Sequence, residues 1–155
     1  MVRYWLIAGF ETNMVIGIRL KRWGLREIPE EIRREFLDNA SYGDLVALQA
    51  LEDPPSKKVI GIVGFAKLKE VFYQEKIPLK NGYYEEWPMP KDWSFPWRIR
   101  FESVCALSED RWRDYAIEFL VEKEKYKWGI GILERGQFYD LLRRAEEKWG
   151  IIIRL

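Results

Sequence analysis

The run Arg-Tyr-Trp-Leu-Ile-Ala over residues 3–8 is apolar, aromatic and β-branched, which predicts an opening strand closed by Gly9. Residues 10–27 keep no clean period and are expected to form a mixed, looped stretch. Pro29 suits a first helical position, and Ile32, Phe36 and Leu37 recur at helical spacing, so residues 29–39 predict a short amphipathic helix. After a turn at Tyr42-Gly43-Asp44, residues 45–51 and 58–71 read as two strands. The Glu-Asp-Pro-Pro-Ser-Lys linker between them marks a hairpin whose tip carries Lys57 and Lys58. Gly61 and Gly64 inside the second strand predict a bulge or sharp bend of the kind found in small barrels.

Residues 72–96 hold four prolines, an Asn-Gly pair and no period, which predicts one long loop. It is rich in rings: Phe72, Tyr73, Tyr83, Tyr84, Trp87, Trp93 and Phe95. Residues 97–107 alternate as a strand, with Trp97, Ile99, Phe101 and Ser103 on one face and Arg98, Arg100, Glu102 and Val104 on the other. Ser108 is an N-cap candidate at the start of a charged, partly helical stretch to residue 127. Phe138, Leu141, Leu142 and Ala145 predict a helix over 136–149, and residues 151–155 a last short strand. No repeat, low-complexity tract or interdomain linker interrupts the chain, so a single domain over 1–155 is expected. Short strands around bends with helices at the periphery predict an α+β fold built on a small curved β-sheet or barrel.

Composition narrows the chemistry. The 155 residues include no His and one Cys, so a Ser-His-Asp triad, a Cys-His pair, a Cys/His zinc site and an internal disulfide are all excluded. Gly61-Ile-Val-Gly64 and Gly129-Ile-Gly131 lack the spacing of phosphate-binding loops, and no dinucleotide fingerprint is present. Adjacent acids such as Glu30-Glu31, Glu85-Glu86 and Glu146-Glu147 read as solvated faces, and Cys105 as a buried, inert thiol in an apolar strand. The expectation is a protein that is not an enzyme and uses no metal or cofactor. No apolar run approaches the ~20 residues of a membrane span, and no signal peptide is evident, so the expected location is cytoplasmic. Three Asn and three Gln beside 33% charged residues resemble the balance of thermophile proteins.

Binding has more to rest on. Arg19, Lys21, Arg22 and Arg26 give four cations and no acid in eight residues, with Trp23 in the middle. Cations for phosphate interleaved with a ring for a base suit a single-stranded or flipped nucleotide. The plainer reading is that Trp23 is core and the cations solvate a loop. Eight Trp make the same division necessary along the whole chain: Trp5, Trp97, Trp112, Trp128 and Trp149 read as core, while Trp23, Trp87 and Trp93 are candidates for a site. A net charge of +1 means that any grip on nucleic acid comes substantially from a pocket rather than from bulk electrostatics.

The order of these residues resembles the YTH and EVE families of the PUA-like superfamily. The resemblance rests on Tyr4-Trp5-Leu6-Ile7, on Lys21-Arg22-Trp23, on the strand 61–68 with its Gly64-Phe65-Ala66-Lys67-Leu68, on Trp87 and Trp93, and on Phe95-Pro96-Trp97-Arg98-Ile99-Arg100-Phe101. It covers roughly residues 3–107. It implies a PUA-like fold and a cage of Trp23, Trp87 and Trp93 around the methylated amino group of N6-methyladenine. Asn13 resembles an asparagine of the family's base pocket. Gly9 stands where the YTH pattern has a second, base-reading Asn, leaving Asp92, Glu86 or a backbone group to take that part. EVE-like domains also resemble the N-terminal modified-DNA readers of archaeal McrB-type restriction proteins, which implies a C-terminal AAA+ GTPase region and a nuclease partner. The implied partner is methylated nucleic acid, DNA ahead of RNA, with no membrane, and Arg19, Lys21, Arg22, Lys57 and Lys58 are the phosphate-contact candidates. Two other readings stay open: an RNA-binding or modified-cytosine module of the same fold, and an aromatic cage for a methylated ammonium on a peptide, with Glu85, Glu86 and Asp92 beside the rings.

Overall fold

A computed structural model describes residues 1–25, 30–73, 97–120, 126–127 and 129–155. The chain runs through β1 (Tyr4–Phe10), α1 (Glu11–Leu20), β2 (Arg22–Leu25), α2 (Glu30–Phe36), β3 (Leu45–Leu51), β4 (Val59–Tyr73) and β5 (Trp97–Ala106). A 3-10 turn (Glu109–Arg111) then leads into α3 (Trp112–Tyr115), β6 (Tyr126–Lys127), β7 (Ile130–Leu133) and α4 (Arg135–Trp149). All these strands share one sheet, ordered β2-β5-β4-β3-β1-β7-β6. β1 and β3 run parallel and every other neighbouring pair antiparallel. The architecture is α+β, as expected, with helices at the periphery of a small, strongly curved sheet, the arrangement that the PUA-like resemblance implied.

The curvature has local causes. The β3–β4 register shifts between Leu48 and Gln49 and again between Ala50 and Leu51, opposite the stretch that holds Gly61 and Gly64. Gly61 takes φ +131°, and a β-carbon there would stand 2.8 Å from the Ile117 carbonyl oxygen, so only glycine fits this bend. A second irregularity falls where β4 passes Leu68 beside β5. The consequence shows at the sheet's far edge. In a flat sheet, β2 and β1, four strands apart, would lie roughly 19 Å from each other. Instead the Trp23 indole of β2 lies against Gly9 of β1, where an added β-carbon would meet Cη2 at 2.2 Å. The sheet has curled until its β2 edge reaches the end of β1.

Strand β1 is buried on both faces, with Trp5, Leu6, Ile7 and Ala8 all in the core. On one face Trp5 meets Phe36 of α2 edge-on at 4.5 Å. On the other, Leu6 and its ladder partner Ala47 align with Phe65, whose ring meets Phe138 at 5.7 Å and Trp149 at 5.9 Å in α4. The start of the sheet is pinned by Asp44, which is buried. Its carboxylate accepts from the Arg3 and Ser41 backbone N–H groups and from Trp5 Nε1 at 2.9 to 3.0 Å. Trp112 and Trp149 are likewise buried, their indole N–H groups donating to Leu107 O and Tyr115 O. These three tryptophans are core, as read from the sequence; the Trp97 side chain and Trp128 lie outside the described residues.

Several expectations are corrected. Residues 10–27 are not mainly loop: they contain α1 and β2. Gly17 at the centre of α1 and apolar residues around most of its girth concealed the helical period. Phe72 and Tyr73 belong to β4 rather than to the following loop, and residues 74–96 lie outside the described residues. Arg98, read onto the polar face of its strand, is buried. Ser108 makes no side-chain cap bond. Residues 151–155 form no strand: Gly150 ends α4 in the left-handed conformation, and Ile151 and Ile152 are exposed, while Ile153 is buried and its N–H is held by Glu146.

Candidate nucleic-acid interface

The candidate site begins where β1 ends and α1 starts. Trp23, the second residue of β2, pairs with Ile99 of β5 and projects its indole back between α1 and β1. Two glycines make room for it. A β-carbon on Gly9 would stand 2.2 and 2.3 Å from Cη2 and Cζ2, and one on Gly17 would stand 2.8 Å from Cε3. The indole is therefore backed by bare main chain and cannot share its space with any larger residue at either position. Gly9 is the position where the resemblance led us to look for an asparagine, and here that volume is filled by the Trp23 ring. Trp23 is 7% exposed, so it is not a platform standing in solvent.

Cations flank this ring in sequence. Lys21 caps α1 in the left-handed conformation (φ 54°), donating its N–H to Gly17 and Ile18, while its carbonyl accepts from Phe101 N. Its turn is thus fixed and its side chain exposed; Arg19 is also exposed and Arg22 half-buried. Lys57 and Lys58 are exposed on the β3–β4 hairpin. The hairpin is docked to the start of α1, since Asp53 accepts from the Thr12 backbone N–H and hydroxyl. Asn13 follows on the same turn, half-buried, and its side chain makes no hydrogen bond among the described residues. It shares a helix face with Gly17 one turn on, and Gly17 touches the indole. The structure thus brings Asn13 and Trp23 to the junction of β1 and α1, with the Lys57–Lys58 hairpin docked on Thr12, whereas Lys21 and Arg22 stand at the other end of α1, beside Arg100 and Phe101 of β5.

Trp87, Trp93, Glu86 and Asp92 lie outside the described residues. The ends of their segment do not. Tyr73 of β4 pairs with Trp97 of β5, and Trp97 pairs with Leu25, two residues from Trp23 along β2. The chain carrying Trp87 and Trp93 departs and returns about 7 Å along the ladder from Trp23. Sequence reasoning missed the roles of Gly9 and Gly17; a glycine in the middle of a helix was the signal that could have found the second. Among the described residues, no group of three or more His, Cys, Asp and Glu could hold a metal ion, and no helix is long and apolar enough to cross a membrane. Cys105 is half-buried in β5, where desolvation raises its thiol pKa.

No protein-family model matches the chain, and no curated protein matches it in sequence. Solved structures do. A hypothetical protein from Leishmania major aligns over 96% of this chain and 98% of its own at 15% identity, with a TM-score of 0.54. A protein from Pseudomonas putida aligns over 92% and 99% at 18% identity, with a TM-score of 0.50. Human THYN1, solved in complex with DNA containing 5-methylcytosine, aligns over 93% and 98% at 14% identity, with a TM-score of 0.49. At such identities the first two matches establish a shared fold, extending over nearly the whole of both chains.

Proposed function

We propose that this protein is a reader of modified nucleic acid, one domain over residues 1–155 that takes a flipped base, N6-methyladenine, into a cage walled by Trp23, Trp87 and Trp93. The observation that carries the reading is the placement of Trp23. Its indole is seated against the bare backbone of Gly9 and Gly17, and the Trp- and Pro-rich segment is anchored two ladder positions away. Asn13, whose side chain makes no hydrogen bond among the described residues, and Glu86 or Asp92 read the base edge, while Arg19, Lys21, Arg22, Lys57 and Lys58 meet phosphates. The protein has no catalytic step and needs no cofactor. DNA is the favoured target, and the domain serves as the targeting arm of a McrB-type restriction complex with an AAA+ GTPase region and a nuclease partner.

The energetics suit a closed cage. Stacking a base on a ring contributes about 1–3 kcal/mol, comparable with the cost of flipping it. One buried methyl adds only about 0.8 kcal/mol. Strong discrimination needs a dry cage that leaves an unmodified amino hydrogen without an acceptor, at a further cost of about 1–3 kcal/mol. Because Trp23 is only 7% exposed, stacking a base on it requires its neighbours to move aside.

Titration of single- and double-stranded oligonucleotides bearing N6-methyladenine, adenine or 5-methylcytosine tests the proposal. The methylated adenine should bind roughly tenfold or more tighter than adenine, and Trp23→Ala and Trp87→Ala should remove the preference. Equal affinities, a preference untouched by Trp87→Ala, or binding of trimethyl-lysine peptides in place of nucleic acid would overturn it. A preference for 5-methylcytosine would keep the cage and replace the base.

A further inference from the structure

Helix α1 carries both Asn13 and Gly17, and its two ends are held in different ways. At the C-terminal end the helix caps itself: the left-handed Lys21 donates its N–H to Gly17 O and Ile18 O, and its carbonyl accepts from Phe101 N at 2.9 Å. Gly17, against which the Trp23 indole lies, is fixed from that end. At the N-terminal end the cap position is filled by Phe10, whose side chain has no acceptor to offer the first free N–H groups. The acceptor comes from a distant part of the chain. Asp53, 41 residues beyond Thr12, takes the Thr12 N–H on Oδ1 at 3.2 Å and the Thr12 hydroxyl on Oδ2.

The carboxylate that closes this turn belongs to the hairpin that carries Lys57 and Lys58. Glu52, next to Asp53, donates its N–H to Lys58 O at 2.7 Å, and the Ser56 hydroxyl donates to the Glu52 carboxylate at 2.8 Å, so Asp53 and the two lysines stand on one closed tip. Asn13 follows Thr12 directly, in the same first turn of α1. A first turn whose N–H groups lack partners frays, and a side chain on it loses its fixed direction. We infer that Asp53 is a positioning residue for base selection: by capping α1 from the hairpin, it holds Asn13 at the base edge in one frame with the phosphates met by Lys57 and Lys58. The inference rests on the proposed reading function and deepens it. The choice between bases depends on a residue outside the cage, while the cage rings keep the choice between methylated and unmethylated forms.

The test compares the full chain with its Asp53→Ala and Asp53→Asn variants, using oligonucleotides that carry N6-methyladenine, adenine or 5-methylcytosine, at a temperature where circular dichroism shows every variant folded. Asparagine caps a helix about as well as aspartate and alanine far less well, so the pair separates the cap from the charge. Losing an acid beside two lysines strengthens the attraction for phosphate in both variants and for every strand alike, so the readout is a ratio of affinities. In Asp53→Ala the ratio between N6-methyladenine and 5-methylcytosine binding should move toward one by roughly threefold to fivefold, a loss bounded by what one cap contributes. The ratio between N6-methyladenine and adenine should stay, and Asp53→Asn should keep both ratios. In an Asn13→Ala background, Asp53→Ala should change the first ratio no further, because the residue it positions is gone. An unchanged first ratio in Asp53→Ala, an equal fall in Asp53→Asn, or a full further fall on top of Asn13→Ala overturns the inference. A parent protein that binds these strands without choosing among them overturns the reading function itself, and the inference with it.

Discussion

Trp5 and Trp23 are both buried tryptophans of one core, yet they are seated differently. Trp5 is embedded in side chains: its N–H is committed to Asp44, its edge meets Phe36, and β1 and β3 pack around it. Trp23 belongs to the same core, but one side of its ring lies against two glycines, where the curled sheet meets its own first strand. A ring enclosed by interlocking side chains is an anchor whose loss leaves a cavity and an orphaned acceptor. A ring backed by glycines has its position set by the two absent side chains.

Substitutions should separate the two kinds. The largest effect belongs to Trp5→Ala, which should cost about 3–5 kcal/mol in urea unfolding. It removes the edge contact with Phe36 and one donor to the buried Asp44 carboxylate, and it should leave the base preference of the remaining folded protein unchanged.

Gly9→Ala should cost less, about 1–3 kcal/mol, because the indole or the strand must shift to admit the methyl. Its distinguishing result lies elsewhere. Combined with Trp23→Phe, whose smaller ring vacates part of that space, the double variant should recover stability relative to Gly9→Ala alone. Additive losses in the double cycle would show that the glycine is not there to accommodate the indole.

The smallest effect concerns neither ring. Burial raises the Cys105 thiol above its ordinary 9.0, so the folded chain keeps that proton to higher pH than the unfolded chain does. Stability is then level below the unfolded thiol's pKa and declines as pH rises past it. Cys105→Ala should flatten that decline, measured as Tm between about pH 8 and 10.5. A slope indifferent to the substitution would show that the thiol environment does not differ between the two states.

Legibility in the sequence followed the strength of local periodicity. β1, the β3–β4 hairpin with its bend at Gly61, β5 and α4 were readable because each carries an unbroken period or a proline- or glycine-marked turn. α1 was not, since Gly17 interrupts it and its apolar residues face several directions. β2, four residues long, is a strand only because β5 is there to pair with it. Residues 151–153 look as much like a strand as β2 does, but no neighbour offers them a ladder. For the candidate site, the sequence marked Trp23 among its cations and singled out Asn13. That Gly9 seats the ring had no local sign, and Gly17 was signalled only by being a glycine inside a helix.

What the sequence determined by itself was the chemistry at hand: no imidazole, one thiol, near-neutral charge and an excess of tryptophan, together with the strands and helices whose periods are local. The tertiary structure decided which tryptophan packs wholly among side chains and which is seated against glycines. That choice depends on the accumulated bend of a sheet across four strands, a sum of bulges and twists that no single residue encodes. Two glycines eight positions apart acquire a shared role only once that bend has carried Trp23 between them.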